Sequence, residues 1–256
     1  MISKKIAIGL ALLNVFLLSA QTEFNKLDAN GNLLWVKQFG GTGFDSSYSI
    51  TLDAAGNIYT CGAFAQTADF NPGAGIFNLT AVGVFDVFIS KLDLDGNFIW
   101  AKQSGGVNSD RGYGITVDIN NNVYTTGYFG GTADFDPGTG TFNLTSAGLS
   151  DVFVSKLDAN GNFLWAKQFG GAATEIGSAI AVDAAGNVYI TGQFSGTTDL
   201  MNESKSANPS SCNMVASCSA EGPMWRDSKF SCVLMKIHLK YLIKSVETFN
   251  QLISDQ

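Results

Sequence analysis

The chain has 256 residues, 45% of them apolar, and a formal net charge of −7. That length suits one large domain or two small ones. Residues 21–200 carry 7 Lys/Arg against 17 Asp/Glu, which excludes a nucleic-acid surface, because phosphate binding needs clustered Lys and Arg.

The first element is "MISKK", followed by the apolar run "IAIGLALLNVFLL" and then "SAQT". A charged start, a short apolar stretch and a small residue at Ala20 have the order of a secretory signal peptide over residues 1–20. The run of 13 residues is too short for a membrane span, which needs about 20. No cysteine follows it to carry a lipid, and no later segment reads as transmembrane. A secreted or cell-surface location is expected.

From Gln21 the sequence repeats itself. "KLDANGNLLWVKQFGG" at Lys26 returns as "KLDLDGNFIWAKQSGG" at Lys91 and "KLDANGNFLWAKQFGG" at Lys156, 65 residues apart each time. A second phrase runs over Ile50–Phe64, Ile115–Phe129 and Ile180–Phe194. A third, "TADFNPGAGIFNLT", begins at Thr67, returns at Thr132, and starts again at Thr197 before breaking off at Leu200. Each phrase has strand composition on both sides of a tight turn. In the turns Asp accepts backbone hydrogen bonds and Gly takes positive φ. Asn121 replaces Gly56 and Gly186, and Asn is the next residue to tolerate that conformation. Helix periodicity is absent up to Leu200. A small sheet buries its two apolar faces only by stacking on copies of itself. Four-stranded units of this size predict a β-propeller, with a linear solenoid as the rival.

These phrases resemble the SBBP-type β-propeller repeat, carried here by "D-x-x-G-N-V-Y-x-T-G-x-F" and "D-V-F-V-S-K-L-D-x-x-G-N-x-x-W-A-K-Q-F-G-G". The resemblance covers residues 21–200 and implies an exported, often surface-associated bacterial protein; it brings no catalytic residues. The expected fold is all-β: an incomplete β-propeller of about three four-stranded blades, over 21–85, 86–150 and 151–200. A closed ring needs about 4–8 blades, more than these residues supply.

Residues 201–256 form a divergent tail. A loop precedes an amphipathic helix over about 228–254, with Met235, Leu239, Leu242, Val246, Phe249 and Ile253 on one stripe. The helix could cap the last blade or bind a partner helix, or the tail could come from a frameshift or chimeric join. Cys212, Cys218 and Cys232 lie here and Cys61 lies in the repeats. Export permits disulfides, and four cysteines allow three full pairings.

Several residues are candidates for chemistry. Asp45, Asp110 and Glu175 are equivalent by the period and would line an acidic arc for a cation or a basic partner; the alternative is ordinary turn acids. Asp69, Asn71, Asp134 and Asp136 flank Pro-Gly turns and are weak calcium candidates. The "D-x-[DN]-G-N" segments lack the distal Glu of a calcium loop and read as turns. Trp35, Trp100 and Trp165 would stack sugars if exposed, but the apolar strands around them point to packing between blades. Asn78 and Asn143 begin "NLT", an acceptor pattern common by chance. His238 is the sole histidine and lies in the tail, so no His-based catalytic site can be built in the repeats. No catalytic residue and no cofactor is expected. The reading is an exported, non-enzymatic binding or scaffold module with a protein or glycan partner and variable loops such as Gly105–Gly112 for contacts. Self-association through open blade faces is a further expectation. The alternatives are a carbohydrate-binding protein or carbohydrate-active enzyme, and a truncated product without independent function.

Overall fold

A computed structural model of the chain describes residues 21–194 and the backbone of 212–214. The expected signal peptide over 1–20 and the expected tail helix over about 228–254, with His238, Cys218 and Cys232, lie outside the described residues. Every regular element described is a strand, as alternating apolar and β-branched residues between Gly-bearing turns require.

The first period gives β1 (Thr22–Leu27), β2 (Leu33–Gly41), β3 (Asp45–Leu52), β4 (Ile58–Phe64) and the short pair β5 (Thr67–Asp69) and β6 (Asn78–Thr80). The second gives β7 (Asp86–Leu92), β8 (Phe98–Gly106), β9 (Arg111–Val117), β10 (Val123–Phe129), β11 (Thr132–Asp134) and β12 (Asn143–Thr145). The third gives β13 (Asp151–Leu157), β14 (Phe163–Phe169), β15 (Ile176–Val182) and β16 (Val188–Gln193). A three-residue strand, β17 (Cys212–Met214), pairs in parallel with β16.

The hairpins are assembled across the period. β3 and β4 join β7 and β8 in one antiparallel sheet, and β9 and β10 join β13 and β14 in the next. Each four-stranded blade thus takes an inner hairpin from one second phrase and an outer hairpin from the following first phrase. β9 packs between β3 and β15, so the inner strands stand side by side and the blades stack. The result is an open, propeller-like array. Among the described residues β1–β2 is an outer hairpin without an inner one, and β15–β16 is an inner hairpin without its outer one.

The third phrase does not extend its own blade. β5 pairs with β2 through Gly40↔Asp69 and Gly41↔Ala68, and β11 pairs with β8 through Gly105↔Asp134 and Gly106↔Ala133. Each β5–β6 or β11–β12 unit is a strap from one blade to the blade before it. Gly41 and Gly106 make this approach feasible: a Cβ at either would strike the carbonyl of Thr67 or Thr132. The straps are nailed down by Phe70 and Phe135, both fully buried. Phe70 lies 4.9 Å from Phe39, 5.0 Å from Phe88 and 5.2 Å from Phe64 between ring centroids. Phe135 lies 5.3 Å from Phe129 and 4.9 Å from Phe153. Such aromatic clusters add specific ring contacts to large buried area.

The hairpin turns share one device. In the turn of β1–β2, Asp28 Oδ1 accepts the amides of Asn30 and Asn32 at 2.8 Å, and Oδ2 accepts the Asn32 side-chain amide at 2.8 Å. The same set recurs at Asp53, Asp93, Asp118, Asp158 and Asp183. Positive φ falls on Gly31, Gly56, Gly96, Gly161 and Gly186, and on Asn121 at 62°. The chain reverses there as the sequence predicts, with Asn121 in the glycine's place.

Candidate functional site

The strands give the array two rims. One carries the Asp–Asn turns, whose carboxylate oxygens are already occupied by backbone and asparagine amides. The other carries the irregular loops at 42–44, 81–85, 107–110, 146–150 and 171–175, where Val107 and Leu149 are largely exposed.

The acids of the expected arc sit under this loop rim and do not present their carboxylates to solvent. Asp45, Asp110 and Glu175 are all buried. Asp45 Oδ2 accepts the Gly41 amide at 2.6 Å and Asp110 Oδ2 accepts the Gly106 amide at 2.7 Å. Asp110 Oδ1 takes the Gly130 amide at 3.0 Å, and Glu175 Oε2 takes the Gly171 amide at 3.2 Å. Each acid ties the end of an outer strand to the start of the next inner strand. Burial pushes Asp110 up to about 6, against the pull of the two amides, with Asp86 nearby adding to the rise. Burial likewise raises Asp45, Asp86 and Asp151.

The calcium candidates are strap turns. Asp69 Oδ1 accepts the amides of Asn71 at 3.0 Å and Phe77 at 2.8 Å, and Asn71 Oδ1 accepts Gly73 at 2.8 Å. Asp134 and Asp136 repeat the pattern toward Asp136, Phe142 and Gly138. Among the described residues no three His, Cys, Asp or Glu side chains gather as a metal-holding group. The tryptophans face neighbouring sheets. Trp100 is buried, its Nε1 donates to the Ala159 carbonyl at 3.3 Å, and its ring stands 6.2 Å from Tyr59. Trp35 packs against the Phe39–Phe70 cluster and Trp165 against the cluster around Tyr124 and Val154. Cys61 is a buried free thiol among Tyr59, Ile89 and Ile115. Asn78 and Asn143 begin the outer strands of the straps.

A different group fills the loop rim. Arg111, the single arginine between Gln21 and Leu200, donates from Nη1 to the Tyr48 hydroxyl at 2.9 Å. Its guanidinium lies 4.4 Å from the centroid of Phe85, an arrangement in which the ring quadrupole attracts the cation. Tyr48 and Tyr113 are 4.8 Å apart, Tyr113 and Tyr128 5.9 Å. Tyr128 shares a hydrogen bond with Ser109 at 3.3 Å. Arg111, Tyr113 and Tyr128 line a cleft of about 430 Å³ with Asn108, Ser109 and Leu149, within the size range of small-ligand sites. Tyr113 is the period-equivalent of Tyr48, but Arg111 and Tyr128 do not follow the period. Ser46 and Ile176 occupy the place of Arg111, and Ala63 and Gln193 that of Tyr128. Comparing the copies in register would have found the cluster; a search for catalytic motifs passes over it.

The family model described as "Beta-propeller repeat", SBBP, matches residues 34–62, 99–128 and 164–193. The chain carries three SBBP β-propeller repeats. Each match spans an outer strand, the following inner hairpin and the loop between them. Over 117 residues, 40% of the chain, it is 31% identical to an uncharacterized WD repeat-containing protein of Acanthamoeba polyphaga mimivirus. Over 164 residues, 62% of the chain, it is 24% identical to the regulatory protein FlaEY of Caulobacter vibrioides. The matched regions cover 8% and 17% of those proteins, so this SBBP-repeat chain spans a small part of the curated relatives it matches.

Proposed function

We propose that the chain is an exported, non-enzymatic binding module that takes a partner at its loop rim, in the Arg111 cleft. One observation carries this reading. The Asp–Asn turns, the straps and the inter-blade packing repeat with the period, whereas the aperiodic Arg111 and Tyr128 converge with Tyr113 on one open cleft. A guanidinium beside tyrosine rings suits a ligand with a carboxylate next to an apolar or ring surface. The charged start and short apolar run of residues 1–20 support export to the cell surface or beyond. The propeller repeats and the WD-repeat relative support a binding role.

A second reading takes the ligand as carbohydrate. The adjacent, partly exposed rings of Tyr48 and Tyr113 favour it, because such rings stack on sugars. Calorimetry with acidic peptides and with neutral and uronic-acid oligosaccharides separates the two. The first reading expects acidic-peptide binding lost at least tenfold in Arg111→Ala. Binding of oligosaccharides that survives Arg111→Ala and is lost in Tyr113→Ala establishes the second. Acidic-peptide binding unchanged in both variants removes the cleft from consideration.

A further inference from the structure

We infer that a second copy of this chain completes the open blade at each end, its β15–β16 hairpin pairing with β1 and stacking on β3, so that two copies close one six-bladed ring. The inference is independent of what the Arg111 cleft binds.

The two open ends are unequal, and each has the form of an interface already made inside the chain. β1 is the period-equivalent of β7 and β13, which lie against β4 and β10. There Leu92 and Leu157 are 0% and 1% exposed; their equivalent in β1, Leu27, is 55% exposed. β3 is the equivalent of β9, whose Ile115 is 5% exposed beneath β3; Ile50, on the same face of β3, is 60% exposed. Between β1 and β3 lies a groove of about 560 Å³ with Phe24, Leu27, Trp35, Tyr48, Ile50 and Leu52 on its walls. The inner hairpin of a blade occupies this place at both internal interfaces.

The register is already written. Tyr59 pairs with Lys91 and Tyr124 with Lys156. The ammonium groups lie 4.8 Å and 4.7 Å from those ring centroids, and Lys156 also stands 3.8 Å from Asp118. By the period, Lys26 of one copy pairs with Tyr189 of the other and faces its Asp183. Within its own chain Lys26 lies 6.0 Å from the Trp35 centroid. Gly114 approaches the backbone of Ala179 across the β9–β15 interface; the same step brings Ala179 against Ser49 of the second copy. Ser178, Ala179 and Ala181 are exposed small residues on that trailing strand, sized to meet Tyr48 and Ile50. The hydroxyls of Thr22 and Ser47 are buried and without partners, and both fall at this joint. β17 takes three residues of the outer edge of β16, in parallel. The incoming β1 offers six in antiparallel register, as at every internal joint, and replaces it.

Blade number selects the stoichiometry. The described residues of each copy supply two whole blades and two complementary halves, so those of two copies give six. Closed propellers hold about 4–8 blades; the described blades of one copy are too few and those of three copies too many.

Sedimentation equilibrium of the full chain tests this. The expected mass is twice that of one chain, reduced to one chain in Ile50→Arg, whose substituted position is exposed in the single copy and so keeps the circular dichroism spectrum unchanged. The combined substitutions Thr22→Cys and Gln193→Cys, residues opposite each other in the inferred register, should yield a disulfide-linked dimer that neither single substitution gives. A monomer at 100 μM, an open ladder of multimers, or a dimer indifferent to Ile50→Arg that forms no such crosslink would overturn the inference.

Discussion

Lys91 in β7 donates to the carbonyl oxygen of Ala159, in the β13–β14 turn, at 3.3 Å, and so reaches from one blade to the next. Trp100 donates to the same oxygen from β8 at 3.3 Å, and Lys26 makes the equivalent bond to Leu94 at 2.8 Å. A lysine thus fastens the first and second outer hairpins to the turn ahead, and in the second an indole joins it. Trp100→Ala removes both a buried ring and an inter-blade bond. It should cost about 3–5 kcal/mol, read as a lower denaturation midpoint at unchanged m-value.

The Asp110 carboxyl gives a defined pH dependence. Its folded value of about 6 lies above the ordinary 3.8, so between these the folded chain holds a proton that the unfolded chain has lost. Its stabilising contribution is full below about pH 4, falls as pH rises toward 6, and is flat beyond. The total is about 3 kcal/mol for a two-unit rise. The turn aspartates have the opposite sign. Hydrogen bonds from Asn32 hold Asp28 below its ordinary value and those from Asn97 hold Asp93 there, so their contribution is lost only at lower pH. Subtracting the Asp110→Asn stability curve from that of the parent between pH 4 and 7 should leave a fall over pH 4–6. A difference curve without slope there removes the assignment.

Two glycines separate backbone strain from collision. At Gly31, φ is +84° and a Cβ would meet nothing within 4 Å, so Gly31→Ala should cost only the left-handed penalty, about 1–2 kcal/mol. At Gly41 a Cβ meets the Thr67 carbonyl, so Gly41→Ala should cost more and should release the strap. Hydrogen exchange at the Ala68 and Phe70 amides checks the second outcome: faster exchange in Gly41→Ala alone is expected.

The Cys61 thiol should be inert in the folded chain. It is fully buried and desolvation pushes its ionisation far above the ordinary range, whereas reactivity requires the thiolate. Peptide mapping after iodoacetamide treatment should find Cys61 unmodified in buffer and modified in denaturant.

The turns were legible because their chemistry is local. Asp, Gly and Asn within five residues suffice, and Asn121 at positive φ was predictable from its neighbours alone. The membership of each sheet was not local. β4 and β7 are adjacent in space, but the chain between them leaves for the previous blade, and nothing in "TADFNPG" says which edge it will join. Asp45 and Asp110 are turned inward by bonds to the Gly41 and Gly106 amides at the ends of other strands, which is why period alone could place these acids at one height but not inside the protein. Arg111 was missed for the opposite reason: repetition directs attention to what recurs, and this residue stands where the copies disagree.

Because each complete blade among the described residues draws its two hairpins from successive periods, the folding unit and the genetic unit are out of phase. Unequal recombination need respect no sheet boundary. Gain or loss of 65 codons, wherever the crossover falls, restores the same pairing on both sides, and the array can change its number of blades without first inventing a junction.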